Sequence, residues 1–303
     1  MPNPMMLITG ANGMLGSKLV SYFSSSHSVA AVDIETSIFA QTLDTYVVDL
    51  TSELNTEQLI QAVNPDIIIH CAGLVNVDRC EKDPELARRT NVAATRFLAQ
   101  ACSKKTLFIY ISSDQVYGDT PNQSETSSSL SQLNHYALTK YQGEEVVREL
   151  CPRHIIARTN IFGWNMQMER ESFAEWIINN GKSREPIFLF HDYIFSPIYV
   201  GLFAKILNQL ITAGHIGTFN LSARDYCSKY EFGMKLINGL GMDTQFISPK
   251  SIKDHKFSAK RTPDMRMNIE KLSSLGIIPP SFSESIDAFM DDSPRAINTK
   301  VSE

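Results

Sequence analysis

Cysteine is scarce in this 303-residue chain: Cys71, Cys80, Cys102, Cys151 and Cys227 form no CxxC pair and no even set. That usage argues against a disulfide scaffold and suits free thiols in a reducing compartment. No apolar run reaches the roughly 18 residues that mark a membrane span, and residues 1–6 lack the basic-then-apolar pattern of a secretion signal. The expected location is the cytoplasm, with no membrane partner. Strong charge of either sign is also missing. The net charge is −5, so nucleic acid is not an expected partner. No His/Cys or carboxylate cluster calls for a metal, and no internal repeat is visible. What is present is ordinary for a globular core, with 43% hydrophobic and 20% charged residues. The length allows one large or two modest domains.

Short apolar runs alternate with helical patterns over the first half. Met5-Met6-Leu7-Ile8-Thr9 reads as a buried strand and leads into Gly10-Ala11-Asn12-Gly13-Met14-Leu15-Gly16. Glycines at this spacing let the backbone turn tightly and approach a pyrophosphate at the N-terminus of the helix that follows. The pattern is GxxGxxG rather than the standard GxGxxG, but the required strand before and helix after are both there. A second strand, 29–32, ends in Asp33, an acceptor for adenosine ribose hydroxyls. No Arg or Lys follows in Asp33-Ile34-Glu35. A 2′-phosphate would meet an unneutralised carboxylate there, so NAD(H) is favoured over NADP(H).

Further strands are expected at 46–48, 66–70, 106–111 and 154–157, with helices at 54–63, 83–102 and 136–150. This alternation implies an α/β fold with a doubly wound parallel sheet, a Rossmann fold. Ligands then sit beyond the carboxyl ends of the strands. The glycine turn, Asp33-Ile34, Asp49-Leu50, Cys71-Ala72-Gly73 and Ser113 all fall at that edge. Residues 1–160 are expected to form the dinucleotide-binding domain. Residues 161–290 are mostly a smaller substrate-binding lid, with some elements returning to the sheet, and 291–303 a disordered tail. The serine-rich stretch 119–134 reads as a long loop.

Tyr136-Ala137-Leu138-Thr139-Lys140 carries the chemistry. Tyrosine and lysine four apart share one helix face. At about 4 Å and an effective dielectric of about 20, an ammonium stabilises a phenolate by roughly 4 kcal/mol before desolvation, up to about three pK units. Such a tyrosine can exchange a proton with a carbonyl at neutral pH.

Taken together, the glycine turn, Asp33, Asn91 within a helix, Ser113, Tyr136 with Lys140, Gly143-Glu144 and Arg158-Thr159-Asn160 resemble an extended short-chain dehydrogenase/reductase from about residue 5 to 278. Within that family, Asn76-Val77-Asp78-Arg79-Cys80-Glu81, Ser113-Asp114-Gln115-Val116-Tyr117 and Lys260-Arg261-Thr262-Pro263 resemble the 4-keto sugar-nucleotide reductases, the dTDP-4-dehydrorhamnose reductase group.

The resemblance implies Tyr136 as proton donor, Lys140 holding the nicotinamide ribose and lowering the Tyr136 pKa, and Ser113 orienting the substrate oxygen. It implies cofactor contacts at Gly10, Asn12, Gly13, Met14, Leu15, Gly16, Asp33, Ile34, Asp49, Leu50, Cys71, Ala72, Gly73 and Asn91 as well as Tyr136 and Lys140. Substrate contacts fall at Val75, Ser113, Asp114, Gln115, Asn160 and Arg261, for a nucleotide-linked 4-keto-6-deoxy sugar.

Two departures bear on the reaction. Related dehydratases carry Asp-Glu where this chain has Asp114-Gln115, and an amide cannot exchange protons, so dehydration is disfavoured. The Trp of the family's Arg-Thr-Ser-Trp is Ile161 here; Trp164 lies three residues on, with packing its simpler role. A nucleotide-sugar epimerase and a non-catalytic dinucleotide-binding regulatory subunit are the alternative readings. Homodimerisation through the 84–102 and 136–150 helices is permitted by Phe97, Leu98, Val146 and Val147.

Overall fold

The computed structural model describes residues 3–118, 122–126, 132–167 and 170–293. Six strands, β1 (Met5–Thr9), β2 (Ser28–Asp33), β3 (Asp44–Val47), β4 (Ile67–His70), β5 (Leu107–Ile111) and β6 (His154–Arg158), join a seventh, Gly217–Asn220. All pair in parallel, and the seventh strand pairs with β6. The order across the sheet is Gly217–Asn220, β6, β5, β4, β1, β2, β3. Every residue of β4 and β5 is buried, as a parallel sheet covered on both faces requires. Strand order reverses between β1 and β4, which opens a crevice at their carboxyl ends.

On one face Leu7, Ile68, Phe108 and Ile156 pack under Leu59 and Ile60 of α2 (Glu53–Val63), Leu98 and Ala99, and Val146 and Val147. The expected helix 83–102 is broken into three pieces. After a short α3 (Val77–Lys82), capped by Asn76, come α4 (Pro84–Arg88), a π-helical turn Arg89–Ala93, and α5 (Ala94–Ala101). The helix that carries Tyr136 and Lys140 is α6 (His135–Leu150). Leu98, Val146 and Val147 therefore belong to the core of the monomer. Of the four apolar positions that permitted a helical dimer interface, only Phe97 is not fully buried.

The opposite face carries Met6, Ile8, Ile69, Ile109 and Ile155. It is covered by Leu19, Val20 and Phe23 of α1 (Met14–Phe23) and by Phe203 and Leu207, and the same cluster runs on to Phe195, Phe232 and Phe289. These last come from the C-terminal half, whose helices are α7 (Phe173–Ser183), α8 (Val200–Thr212), α9 (Lys229–Gly239), α10 (Glu270–Ser274) and α11 (Phe282–Asp291). Short pairs lie between them. Ile187–Phe190 runs beside Ile247–Lys250, and Ile194–Phe195 lies between Cys227–Ser228 and Asp264–Met265. Strands of two to four residues leave too little sequence for a period of two to register.

Past α11, Asp292 pairs with Lys18 and Tyr199. The tail expected at 291–303 lies outside the described residues from 294 onward, as do 119–121 and 127–131 of the long loop.

Candidate active site

Gly10 adopts φ +66°, and a β-carbon there would lie 2.8 Å from the Ala72 nitrogen. At Gly16 it would lie 2.0 Å from the Gly10 carbonyl oxygen. Only glycine lets this turn close against α1 and β4. Asp33 fixes the turn from the next strand: one carboxylate oxygen accepts from the Asn12 N–H at 2.8 Å, the other from the Ile34 N–H at 2.8 Å. The Asn12 side chain is buried. It accepts from the Ile38 N–H and donates to the Thr36 carbonyl at 3.1 Å each. Asn12 therefore acts through the 34–38 loop, while Ile34 is exposed.

The helix that starts here has Gly13 at its N-cap with no side-chain cap and no acid in its first turn. Its leading N–H groups, on Met14 and Leu15 among others, lack the capping partner that Ser52, Asn76, Asp83 and Asn134 give other helices. A dinucleotide pyrophosphate fits this arrangement. Asp49 caps the following turn, accepting from the Thr51 N–H at 2.9 Å, and Leu50 is buried behind it.

The end of β4 is held by a polar chain. Thr9 Oγ1 lies 2.8 Å from His70 Nδ1, and His70 Nε2 lies 3.0 Å from Thr95 Oγ1. Burial drives the His70 pKa down to about 3, with the Lys140 charge adding to the effect. His70 is thus a neutral strut. Beyond it, Cys71 and Ala72 lie along the crevice, and the Ala72 N–H donates to Thr9 Oγ1 at 3.2 Å.

The π turn centres on Asn91. Its Oδ1 accepts from the Leu74 N–H at 2.7 Å; its Nδ2 donates to the Leu74 carbonyl at 3.1 Å and to Thr139 Oγ1 at 3.0 Å. Asn91 thereby clamps the Gly73–Leu74 loop to α6, and a β-carbon on Gly73 would crowd its Oδ1 at 3.0 Å. Val75, next along, is 66% exposed.

Ser113 follows β5 and caps a 3₁₀ turn, Asp114–Tyr117. Its hydroxyl donates to Asp114 Oδ1 at 3.1 Å and accepts from the Gln115 N–H at 3.2 Å. Burial, with the Asp114 and Cys80 charges adding to it, pushes the Tyr136 pKa up to about 12 against the lowering effect of the nearby Ser113 hydroxyl. Asp114 takes a second hydrogen bond from Asn160 Nδ2 and is raised to about 6, chiefly by burial. Gln115 Oε1 accepts from Asn134 Nδ2 at 3.1 Å. Asn134 also donates to the Lys260 carbonyl at 2.9 Å and accepts from the Ala137 N–H at 2.8 Å as the cap of α6.

Lys140 stands one turn after Tyr136, as the spacing dictates, but the expected depression of the Tyr136 pKa is absent. The Lys140 ammonium lies 4.1 Å from the centre of the Tyr110 ring. Burial lowers its pKa to about 8, opposed first by Glu144 and then by Cys71 and Cys80. Desolvation is the first cause for both groups, and the phenol is held protonated rather than as a phenolate.

Arg261 is held against α3. Its guanidinium pairs with Asp78 at 2.7 Å and lies 4.9 Å from the Phe257 ring, beside a depression of about 320 Å³ lined by Phe257, Lys260 and Pro263. Trp164 packs: its indole N–H donates to the Phe289 carbonyl at 2.9 Å and its ring stacks on Phe289 at 4.1 Å.

A family model, the RmlD substrate binding domain, matches residues 4–294. The chain belongs to that family. It is an enzyme of the NAD(P)-dependent, extended short-chain dehydrogenase/reductase type. A probable low-salt glycan biosynthesis reductase of Haloferax volcanii is 27% identical, over 93% of this chain and 95% of that protein. Methionine adenosyltransferase 2 subunit beta of Rattus norvegicus is also 27% identical, over 91% and 84%. A crystal structure of dTDP-4-dehydrorhamnose reductase from Bacillus anthracis in complex with NADP superimposes with a TM-score of 0.87. It is 30% identical, covering 97% of this chain and 100% of that one.

Within this RmlD-family site, Asn134 escaped the sequence reading. It sits just before an evident helix, the position where a cap is expected. Among the described residues no helix is long and apolar enough to cross a membrane.

Proposed function

We propose that this RmlD-family enzyme reduces the carbonyl of a nucleotide-linked 4-keto-6-deoxy sugar at the expense of a reduced nicotinamide dinucleotide. The observation that carries the reading is the Tyr136 phenol buried near Ser113 at the carboxyl edge of the sheet, with Lys140 one turn along α6. The likeness to sugar-nucleotide reductases over nearly the whole chain supports it.

A dinucleotide bound along the glycine turn would supply the hydride. The glycine turn and the uncapped start of α1 would hold its pyrophosphate, Asp33 its adenosine ribose, and Lys140 its nicotinamide ribose. Ser113 orients the substrate oxygen, and Tyr136 gives its phenolic proton to that oxygen as charge develops there. A phenol with its pKa raised is protonated at neutral pH, which is the form reduction needs. Gln115, an amide tied to Asn134, offers no acid or base for dehydration. Tyr136→Phe is expected to abolish turnover of a dTDP-4-keto-6-deoxy sugar while NADH still binds, as read by its fluorescence. A mutant with near-normal rate would remove Tyr136 as the acid.

We favour NADH over NADPH because a 2′-phosphate near Asp33 would meet an unneutralised carboxylate, and Arg170 is paired with Glu35 at 3.8 Å. The Bacillus anthracis structure, in complex with NADP, favours the other choice. Paired dissociation constants decide it, and tighter NADPH binding would reverse the preference. A regulatory role has one observation in its favour, the likeness to methionine adenosyltransferase 2 subunit beta. A stoichiometric synthetase partner, with no activity on any keto sugar, would establish it.

A further inference from the structure

Tyr110 is the fourth residue of β5 and lies beside His70 of β4 in the sheet register. It is 1% exposed, within the cluster that packs under α5 and α6. Two neighbours fix its ring. His70, tied at both ring nitrogens by Thr9 and Thr95, lies 5.9 Å away at a tilt of 42°. On α6, a β-carbon at Gly143 would lie 2.1 Å from the Tyr110 hydroxyl oxygen and 2.6 Å from the ring carbon that bears it. Only a glycine leaves that edge of the ring a seat against the helix. This accounts for the glycine that follows the Tyr136–Lys140 motif.

Lys140, on the same helix, is 6% exposed. Its ammonium lies over the Tyr110 ring, 4.1 Å from the centre. Among the described residues it has no hydrogen-bond acceptor and no carboxylate within ion-pair distance. Glu144 is one turn further on, but Arg158, Ser112 and Arg148 engage both of its oxygens. Burying an ammonium without an acceptor is costly. An aromatic face offsets part of that cost, the more so where water is excluded.

We propose that Tyr110 is a positioning residue that acts through Lys140: the face of its ring holds the ammonium charged and in place at the carboxyl edge of the sheet. This role rests on the functional reading above, in which Lys140 meets the nicotinamide ribose. A ring face attracts the cation without claiming any one N–H, so all three donors stay available to ribose hydroxyls. A carboxylate in its place would take donors and cancel the charge. The other titratable groups facing Lys140 are His70 from β4, Cys71 after it, Cys80 from α3 and Glu144 from α6.

The test is graded fluorination of position 110 in the full-length protein. Tyr110 is replaced in turn by phenylalanine and by para-fluoro-, difluoro- and trifluorophenylalanine, introduced by codon suppression. Each fluorine draws charge from the ring face while the shape hardly changes, and the para-fluorine takes the hydroxyl's seat at Gly143. Tyr110→Phe removes only the hydroxyl, whose hydrogen bond to the Lys140 carbonyl is long at 3.5 Å.

The first readout needs neither cofactor nor substrate. The Lys140 side chain is titrated by NMR, its signal assigned by its loss in Lys140→Arg. The midpoint is expected near 8 in wild type and close to that in Tyr110→Phe. It should fall stepwise with fluorine number, by about one pH unit over the series. The second readout is the dissociation constant of NADH and NADPH at neutral pH, expected to rise severalfold in the same order. A midpoint indifferent to fluorine number overturns the proposal, as does a full effect already present in Tyr110→Phe, which would assign it to the hydroxyl. Lys140→Met separates the remaining failures. If it binds dinucleotide as wild type does, the reading of Lys140 falls and the positioning role with it. If it binds weakly while the fluorinated series stays level, Tyr110 alone loses its role.

Discussion

At the scale of single residues, the site is built from groups kept in costly states. Lys140 is buried with its pKa lowered to about 8 from 10.5. A folded-state pKa below the unfolded one means that the unfolded chain binds more protons between about pH 8 and 10.5, so stability rises with pH across that window. Below pH 8 the full cost is present. Lys140→Met is therefore expected to raise the melting temperature at pH 7, by on the order of 1–2 kcal/mol in stability, while reduction is lost. The gain should fade as pH climbs past 10, and thermal melts at pH 7 and 10.5 check both parts. The shared helix face of Tyr136 and Lys140 was legible from their spacing, because four residues on a helix fix it. The direction of the phenol's pKa was not, because burial, which sequence does not report, outweighs the neighbour.

At the scale of elements, the π turn Arg89–Ala93 is the feature that matters most. One extra residue in the helical ladder leaves Asn91 facing the Leu74 backbone, where its amide binds both N–H and C=O. Asn91→Ala leaves those groups and Thr139 short of partners. The expected loss is roughly 2–3 kcal/mol of stability, with dinucleotide affinity weakened at least tenfold, as read by urea denaturation and NADH titration. The sequence signals a helix across 84–102 but not its interruption, since every residue in Arg89-Thr90-Asn91-Val92-Ala93 is compatible with plain α-helix. The central strands were readable because burial on both faces makes continuous apolar runs. The pairs between α7 and α10 were not, because strands of two to four residues take their conformation from tertiary contacts. Arg261 shows what reading charge by position leaves out: its ion pair with Asp78 from α3, 183 residues earlier in the chain.

At the scale of the molecule, one buried ion pair sits beneath everything. Glu144 and Arg158 are 0% and 1% exposed and meet at 2.6 Å; Ser112 donates to the same carboxylate at 2.6 Å and Arg148 at 2.7 Å. The Arg158 charge and these hydrogen bonds overcome burial and hold the Glu144 carboxyl below its usual range. Glu144→Ala strands a buried guanidinium and is expected to cost about 3–5 kcal/mol, measured by chemical denaturation. Because the larger core cluster runs from Leu19 under the sheet to Phe232 and Phe289 beyond it, unfolding should follow a single transition by fluorescence and circular dichroism alike. Phe203→Ala should lower that transition by about 3–5 kcal/mol without splitting it.

The shared apolar interior has an engineering consequence. A chimera that trades substrate preference between two relatives by cutting near residue 160 would sever α8 and the Gly217–Asn220 strand from the layers they complete. Recombination that keeps those two segments with the donor of the N-terminal half, and exchanges only the loops around Tyr193 and Lys229, leaves the packed interior of a single parent intact.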